Sequence, residues 1–157
     1  MSDKPVSVLF VCLGNICRSP LAEAALREAA EAAGLNIEID SAGTGNWHVG
    51  KGPDPRSCAE ALRHGIDISA YRARQVSPDD FLRFDRIVAL DARNLADLRQ
   101  LAPPGGKARL SLLLDHVPGL EGRDVEDPYY GGLDGFETTW SQVSAAARNL
   151  VAELAGR

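Results

Sequence analysis

The chain has 157 residues, enough for one domain that buries a core without staples. With 45% hydrophobic and 25% charged residues it is composed like a folded globular protein, and no apolar run approaches the roughly 20 residues of a membrane span. A net charge of −5 gives no general reason to bind nucleic acid or an acidic membrane, and three cysteines do not make a secreted disulfide framework. The opening Met1-Ser2-Asp3-Lys4-Pro5 has no signal-peptide pattern, so the expected compartment is the cytoplasm.

The apolar run Val6-Ser7-Val8-Leu9-Phe10-Val11 predicts a buried strand. Cys12-Leu13-Gly14-Asn15-Ile16-Cys17-Arg18-Ser19-Pro20 follows, and Leu21 to Ala33 then predicts a helix with Gly34 as its stop. A cysteine therefore sits at the carboxyl end of a strand, on a loop that feeds a helix N-terminus. Such a loop aims backbone N–H groups and the positive end of the helix dipole at one point, where an anion or a thiolate is stabilised. Arg18 adds a planar fork of donors suited to phosphate oxygens. Taken singly, a buried cysteine is an inert hydrophobe and Gly-Asn a turn. The combination Cys-x5-Arg-Ser between strand and helix instead points to a phosphate cradle with a nucleophile, Cys12, at its floor. No Gly-Lys-Ser/Thr closes the loop, which excludes a Walker nucleotide site. Asn15 suits a left-handed bend. Ser19 is placed to cap the helix, to donate its hydroxyl to Cys12, or both. Cys17, beside a reactive thiolate, can form a reversible disulfide with it and divert oxidation from irreversible acids.

Within the first helix, Glu23, Arg27 and Glu31 recur every four residues and predict a solvated face. Ile37 to Asp40 predicts the second strand. Thr44-Gly45-Asn46-Trp47-His48 reads as a loop, which exposes Trp47. Pro55 to His64 predicts a helix capped by Asp54 and stopped by Gly65. Ser77-Pro78-Asp79-Asp80 predicts a capped helix start with proline at its first position. Arg86 to Leu90 is the third strand, and Asp91 caps a helix to Leu101 whose stripe is Leu95, Leu98 and Leu101. Ala108 to Leu112 is the fourth strand. Asp115 to Leu133 is the longest irregular stretch, and long loops in compact domains are often functional. Within it three acids lie close together, Asp124, Glu126 and Asp127, and spacing does not choose among them. Phe136, Trp140, Val143, Ala147, Leu150, Val151 and Leu154 recur at helical spacing and read as the core face of a last helix. Cys58 reads as an ordinary buried thiol, and His48, His64 and His116 as surface residues without a partner pattern. The alternation of strand and helix predicts a single-domain α/β fold, a doubly wound parallel sheet with helices on both faces. Ligands of such sheets bind outside the carboxyl ends of the strands, where the Cys12 loop belongs.

Val11-Cys12-Leu13-Gly14-Asn15-Ile16-Cys17-Arg18-Ser19-Pro20-Leu21-Ala22-Glu23 resembles the active-site signature of the low-molecular-weight protein tyrosine phosphatases. Asp127-Pro128-Tyr129-Tyr130-Gly131 resembles the general-acid loop of that family. Asp40-Ser41-Ala42-Gly43-Thr44, Trp47, Gly52-Pro53-Asp54-Pro55-Arg56, Ala73-Arg74-Gln75 and Asn94-Leu95 match further landmarks in order, so the resemblance spans essentially the whole chain, residues 1–157. It implies a four-stranded parallel sheet of the phosphotyrosine phosphatase I-like kind. It implies hydrolysis of phosphotyrosine through a phosphocysteine, with Cys12 as nucleophile, Arg18 as phosphate clamp and Asp127 as general acid. The residues Leu13, Gly14, Asn15, Ile16, Cys17 and Ser19 would bind the phosphoryl group. Trp47, Tyr129 and Tyr130 would wall a slot for the phenyl ring, and Ser41 would support Asn15. No cofactor or metal is implied. The expected partners are phosphotyrosine-containing proteins, with a bacterial tyrosine kinase of polysaccharide export as one candidate. Phosphate and vanadate are the expected active-site anions. Tyr71 departs from the family, standing where eukaryotic members tend to have histidine. A thiol-dependent arsenate reductase would need redox cysteines around Leu82 to Leu90, and none is there. A protein-arginine phosphatase would carry threonine at Ile16. A binding module without activity would not need Cys12, Arg18 and Asp127 together.

Overall fold

The computed structural model describes residues 5–156, so residues 1–4, read above for a leader pattern, lie outside them. Four strands form one sheet: β1 (Val6–Cys12), β2 (Ile37–Gly43), β3 (Arg86–Ala89) and β4 (Arg109–Leu112). Five helices surround it: α1 (Arg18–Ala32), α2 (Pro55–Arg63), the single turn α3 (Asp80–Arg83), α4 (Ala92–Leu101) and α5 (Leu133–Ala155). The strand order is β2-β1-β3-β4 and every pairing is parallel. The chain leaves β1 for one side and later crosses to the other. The switch in direction therefore falls at the carboxyl end of β1, which opens a crevice there.

Side chains alternate along β1 because successive residues of a strand point to opposite faces. Val8, Phe10 and Cys12 enter the layer packed with α1 and α5, while Leu9 and Val11 enter the layer packed with Leu95 and Leu98 of α4. All seven apolar positions expected of the last helix are buried in α5. Gly34 and Gly65, expected as helix stops, have φ of +67° and +82°, where a side chain would be strained. Asp54 and Asp91 cap α2 and α4 as expected, accepting from the amides of Arg56 at 2.8 Å and Asn94 at 2.7 Å.

Several boundaries and burials differ from the sequence expectation. β2 continues past Asp40 through Ser41, Ala42 and Gly43, pairing Val11 with Ala42 and Cys12 with Gly43, and so extends β1 to Cys12. Small residues carry no strand signal, but the register of the ladder holds them. Ser77 does not cap a helix. Its amide instead donates to Asp80 at 2.8 Å, and the same carboxylate takes Arg74 at 3.1 and 3.0 Å. Leu101 is only half-buried at the end of its stripe. Cys58 is likewise half-buried rather than buried. Two of the histidines read as unpartnered are engaged. His64 bonds Glu60 at 2.7 Å and stacks on Trp140 with centroids 4.6 Å apart, and His116 bridges Ser111 at 2.9 Å and Glu153 at 2.8 Å. The Glu60–His64 pair has helical i, i+4 spacing, whereas Trp140 and Glu153 come from α5, far along the chain. Among the described residues, no helix is long and apolar enough to cross a membrane.

Candidate active site

The loop between Cys12 and Arg18 curls under the end of β1, and three neighbours shape it. Asn15 stands at φ +58°, the left-handed bend expected of it. Gly43 of β2 backs the loop so closely that a methyl group there would lie 2.8 Å from the Leu13 carbonyl oxygen. The amide of Asp54 donates to the Ile16 carbonyl at 2.9 Å, and the Ser57 hydroxyl donates to the Cys17 carbonyl at 3.3 Å, which ties the loop to the start of α2.

A chain of hydrogen bonds leads from the thiol into the protein. The Cys12 sulfur lies 3.0 Å from the Ser19 hydroxyl and accepts from the Asn15 amide at 3.3 Å. The Asn15 side-chain amide donates to both Ser19, at 2.8 Å, and Ser41, at 3.0 Å. Ser41 donates onward to Glu23 at 2.7 Å. The Ser19 hydroxyl, accepting from Asn15, keeps its own hydrogen free to donate to the sulfur. Ser19 is thus not the helix cap. Cys17 occupies that position without a side-chain bond, and α1 begins at Arg18, three residues earlier than the apolar pattern placed it. Glu23 also departs from expectation, being only 5% exposed although its periodicity places it on a solvated face. It is held by Ser41 and by two nitrogens of Arg27, at 3.0 and 2.8 Å. Burial pushes its pKa up against the opposing pull of those donors.

Arg18 is 2% exposed. Its Nη1 donates to Asp91 at 2.7 Å and to the Val125 carbonyl at 2.9 Å, while Nη2 lies 3.6 Å from Asp127. Burial disfavours its charge, but Cys12, Asp91 and Asp127 together outweigh that cost. Asp91, predicted only as a helix cap, uses its second oxygen to orient this arginine. The one sequence signal for that second role was its place just after a buried strand, at the carboxyl edge of the sheet.

Of the three clustered acids Asp124, Glu126 and Asp127, the fold brings Asp127 alone to the cleft that holds Cys12. Asp124 is spent on the Ala92 amide at 2.8 Å, and Glu126 faces a separate hollow behind the turn. The segment is anchored where Val125, fully buried, donates to Leu90 at 2.8 Å. The Asp127 side chain is 38% exposed and accepts from the Tyr129 amide at 3.1 Å, so a short helical turn, Pro128–Tyr130, fixes its direction.

The cleft has a volume of about 300 Å³. Leu13, Gly14, Ile16, Cys17, Trp47, Tyr129 and Tyr130, expected from the sequence, all line it. Asn15, Ser19 and Ser41 sit behind the loop instead and act on its shape. Trp47 is 65% exposed and its indole lies over Gly45, where a methyl group would collide with the ring. Tyr129 and Tyr130 meet edge to face with centroids 4.9 Å apart. His48, expected at the surface, also lines the cleft as part of its wall. Cys12 and Cys17 are both free and buried. Burial first, then the charges of Asp54, Cys12 and Asp127, push the Cys17 thiol up to about 12, so it stays neutral at physiological pH. Among the described residues, no cluster of three or more His, Cys, Asp or Glu is arranged to hold a metal ion.

A thiol under a curled loop at a strand end, sharing one cleft with a buried arginine and a carboxylate, is the layout of a cysteine-dependent phosphatase. The comparisons with known proteins make this specific. A family model described as low molecular weight phosphotyrosine protein phosphatase matches residues 7–157. A phosphatase of that name from Schizosaccharomyces pombe is 44% identical over 156 residues, covering 97% of this chain and 99% of its own. The low molecular weight protein-tyrosine-phosphatase of Streptomyces coelicolor is 49% identical over 152 residues, covering 94% and 92%. The crystal structure of YfkJ from Bacillus subtilis superposes with a TM-score of 0.91 at 40% identity, covering 99% of this chain and 98% of that one. The chain belongs to the low-molecular-weight phosphotyrosine protein phosphatase family, and it is a cysteine-dependent phosphatase of that type.

Proposed function

We propose that this chain, as one domain over residues 1–157, hydrolyses phosphotyrosine in proteins through a phosphocysteine on Cys12. The observation that carries the reading is that Cys12 and Asp127 line one cleft with Arg18 between them and an aromatic wall beside them. Both Nη1 hydrogens of Arg18 are taken by Asp91 and Val125. The Nε–H and the neighbouring Nη2–H, which point the same way, are then the edge that grips two phosphate oxygens. Amides of the loop 13–18 receive the remaining charge, in a site whose donors need no reorganisation. The Cys12 sulfur attacks phosphorus, an S–P bond forms, and the P–O bond to the tyrosine breaks as Asp127 delivers its proton to that oxygen. In the second step the Asp127 carboxylate takes a proton from water. The water oxygen bonds to phosphorus, and Cys12 leaves as a thiolate that the Ser19 hydroxyl stabilises. The aromatic slot favours a phenyl ring over the short stem of phosphoserine. Phosphotyrosine proteins, a bacterial tyrosine kinase among them, are the partners this slot fits. Phosphate and vanadate fit the cradle as anions. A thiol that works only when reduced suits the cytoplasm.

Asp127→Asn tests the reading. Its kcat/KM for phosphotyrosine is expected to fall by about 100- to 10,000-fold, the usual worth of general-acid help. For a nitrophenyl phosphate, whose leaving oxygen needs its proton less, the loss is expected to be several-fold smaller. Asp124→Asn and Glu126→Gln, assayed beside it, keep the pattern of the parent. Selective loss in either of those two would move the acid role to that residue. Activity on phosphoarginine above that on phosphotyrosine would replace the substrate class.

Cys17 gives the site a second property. Peroxide converts the Cys12 thiolate to a sulfenic acid; the Cys17 sulfur then bonds to the Cys12 sulfur as its proton leaves with the hydroxyl group as water, closing a disulfide that thiol reductant reopens. Parent enzyme inactivated by mild peroxide is expected to recover with dithiothreitol. Cys17→Ser is expected to recover several-fold less, because its sulfenic acid continues to the irreversible acids. Equal recovery of the two proteins would leave Cys17 without this role.

A further inference from the structure

The acid turn is held on both sides by arginines, and only one of them belongs to the phosphate cradle. Ahead of Asp127, Arg18 binds the Val125 carbonyl at 2.9 Å. Beyond it, Arg56 of α2 donates to the Tyr129 carbonyl at 2.9 Å and to the Gly131 carbonyl at 3.3 Å. Arg56 is itself locked. Its Nε and Nη2 form a fork on the two oxygens of Asp54 at 3.0 and 2.9 Å, and its amide caps on the same carboxylate at 2.8 Å. The guanidinium lies 4.7 Å from the Phe136 ring centroid in α5 and 5.6 Å from that of Tyr129. Stacking on aromatic faces adds to such a plane's fixed orientation. Asp54, the residue it grips, donates its amide to the Ile16 carbonyl in the nucleophile loop at 2.9 Å. A continuous rigid path thus runs from the loop holding Cys12, through Asp54 and Arg56, to the turn holding Asp127.

We infer that Arg56 is a positioning residue for catalysis: it sets the height of the Asp127 carboxyl above Cys12 by clamping the two carbonyls that follow it. The inference rests on the reading of Asp127 as the acid. The contact is close to the group it governs, because the Asp127 carboxylate accepts from the Tyr129 amide, on the same residue whose carbonyl Arg56 holds. If the turn shifts, the carboxyl shifts with it. Misplacement of a reacting group by about 1 Å can cost roughly 100-fold in rate. Arg56 touches neither Cys12 nor the phosphate edge of Arg18, so its loss removes proton delivery and leaves anion binding.

The experiment measures kcat/KM for a series of aryl phosphates of rising leaving-group pKa, ending with phosphotyrosine, together with inhibition by inorganic phosphate. The proteins are the parent, Arg56→Ala, Arg56→Lys, Asp127→Asn and the double variant Arg56→Ala/Asp127→Asn. Arg56→Ala is expected to lose about 10- to 100-fold on phosphotyrosine, less than roughly threefold on a dinitrophenyl phosphate, and to keep its phosphate inhibition constant within about twofold. Arg56→Lys keeps a charge but has one donor head for two carbonyls, and is expected to fall between the two. The double variant is expected to show no selective loss beyond that of Asp127→Asn. A purely structural role for Arg56 predicts instead an equal loss on every substrate with weakened phosphate inhibition, and that outcome overturns the inference. So does an Arg56→Lys protein of full stability and parental leaving-group dependence. If Asp127→Asn itself shows no leaving-group selectivity, the acid assignment falls and this inference with it. If Asp127→Asn shows it and both Arg56 variants do not, this inference alone falls.

Discussion

Cys12→Ser is expected to abolish turnover, by more than about 1,000-fold, or about 4 kcal/mol at 1.36 kcal/mol per decade. The change replaces one atom and leaves the packing of β1 intact. Reactivity is what it removes. Serine and threonine hydroxyls are weak nucleophiles unless a base takes the proton, whereas cysteine is the least handicapped of these side chains. The polar neighbours of the Cys12 sulfur are the Ser19 hydroxyl at 3.0 Å and the Asn15 amide at 3.3 Å, and neither is a base. The loop amides and Arg18 remain in place, so vanadate or phosphate should still bind with an affinity within a few-fold of the parent, as calorimetry would report. Measured turnover above a few per cent of the parent would take the nucleophile role from Cys12. Lost anion binding would instead mean that the thiolate shapes the cradle as well as attacking from it.

Arg18→Lys is expected to fail nearly as completely as Arg18→Ala, retaining less than about 1% of kcat/KM. Removal of a single preorganised donor to a developing oxyanion costs about 100- to 1,000-fold. Lysine loses more than one. In the native protein Nη1 serves Asp91 and Val125 at once, which leaves a separate edge of the same plane for phosphate. An ammonium group is a point charge on a flexible stem and cannot hold the inner partners and present two parallel donors outward. It would settle on the Asp91 carboxylate, away from the substrate, or desert it and leave a poorly solvated charge. Assay of both variants on one aryl phosphate decides the matter. Recovery of most of the parental rate by lysine would show that charge alone suffices and that the fork geometry is incidental.

Much of this site is local in sequence and was therefore legible there. Cys12, Arg18 and Ser19 are separated by a loop too short to fold in many ways, and a strand-to-helix turn forces its amides toward the sulfur. Asn15 was readable for a similar reason, since few residues other than glycine accept its backbone angle. Other features were invisible or misread because they arise between distant elements. Glu23 repeats with a solvated face of α1, yet β2 lays Ser41, itself held by Asn15, against it, and Glu23 is buried. Asp91 carried the signature of a helix cap, and its second oxygen reached Arg18, 73 positions away, only through the pairing of β1 with β3. Arg56 stood in a matched landmark without a role until the turn at Tyr129 closed over it. Asp124, Glu126 and Asp127 were equivalent by spacing, and what separated them was tertiary: Asp124 is taken by α4, Glu126 lines a different hollow, and Asp127 lines the cleft that holds Cys12.

By itself, then, the sequence determined the alternation of strand and helix, the loop from Cys12 to Arg18 and its bend, and the core stripes of α4 and α5. Each of these follows from backbone preference and apolar spacing over a few residues. Tertiary structure alone decided which carboxylate enters the cleft of Cys12, which charges are buried with partners, how far β1 and β2 extend, and how Arg18 is turned. Those properties depend on desolvation and on hydrogen bonds between segments far apart in the chain, and such energies exist only once the sheet has brought the segments together.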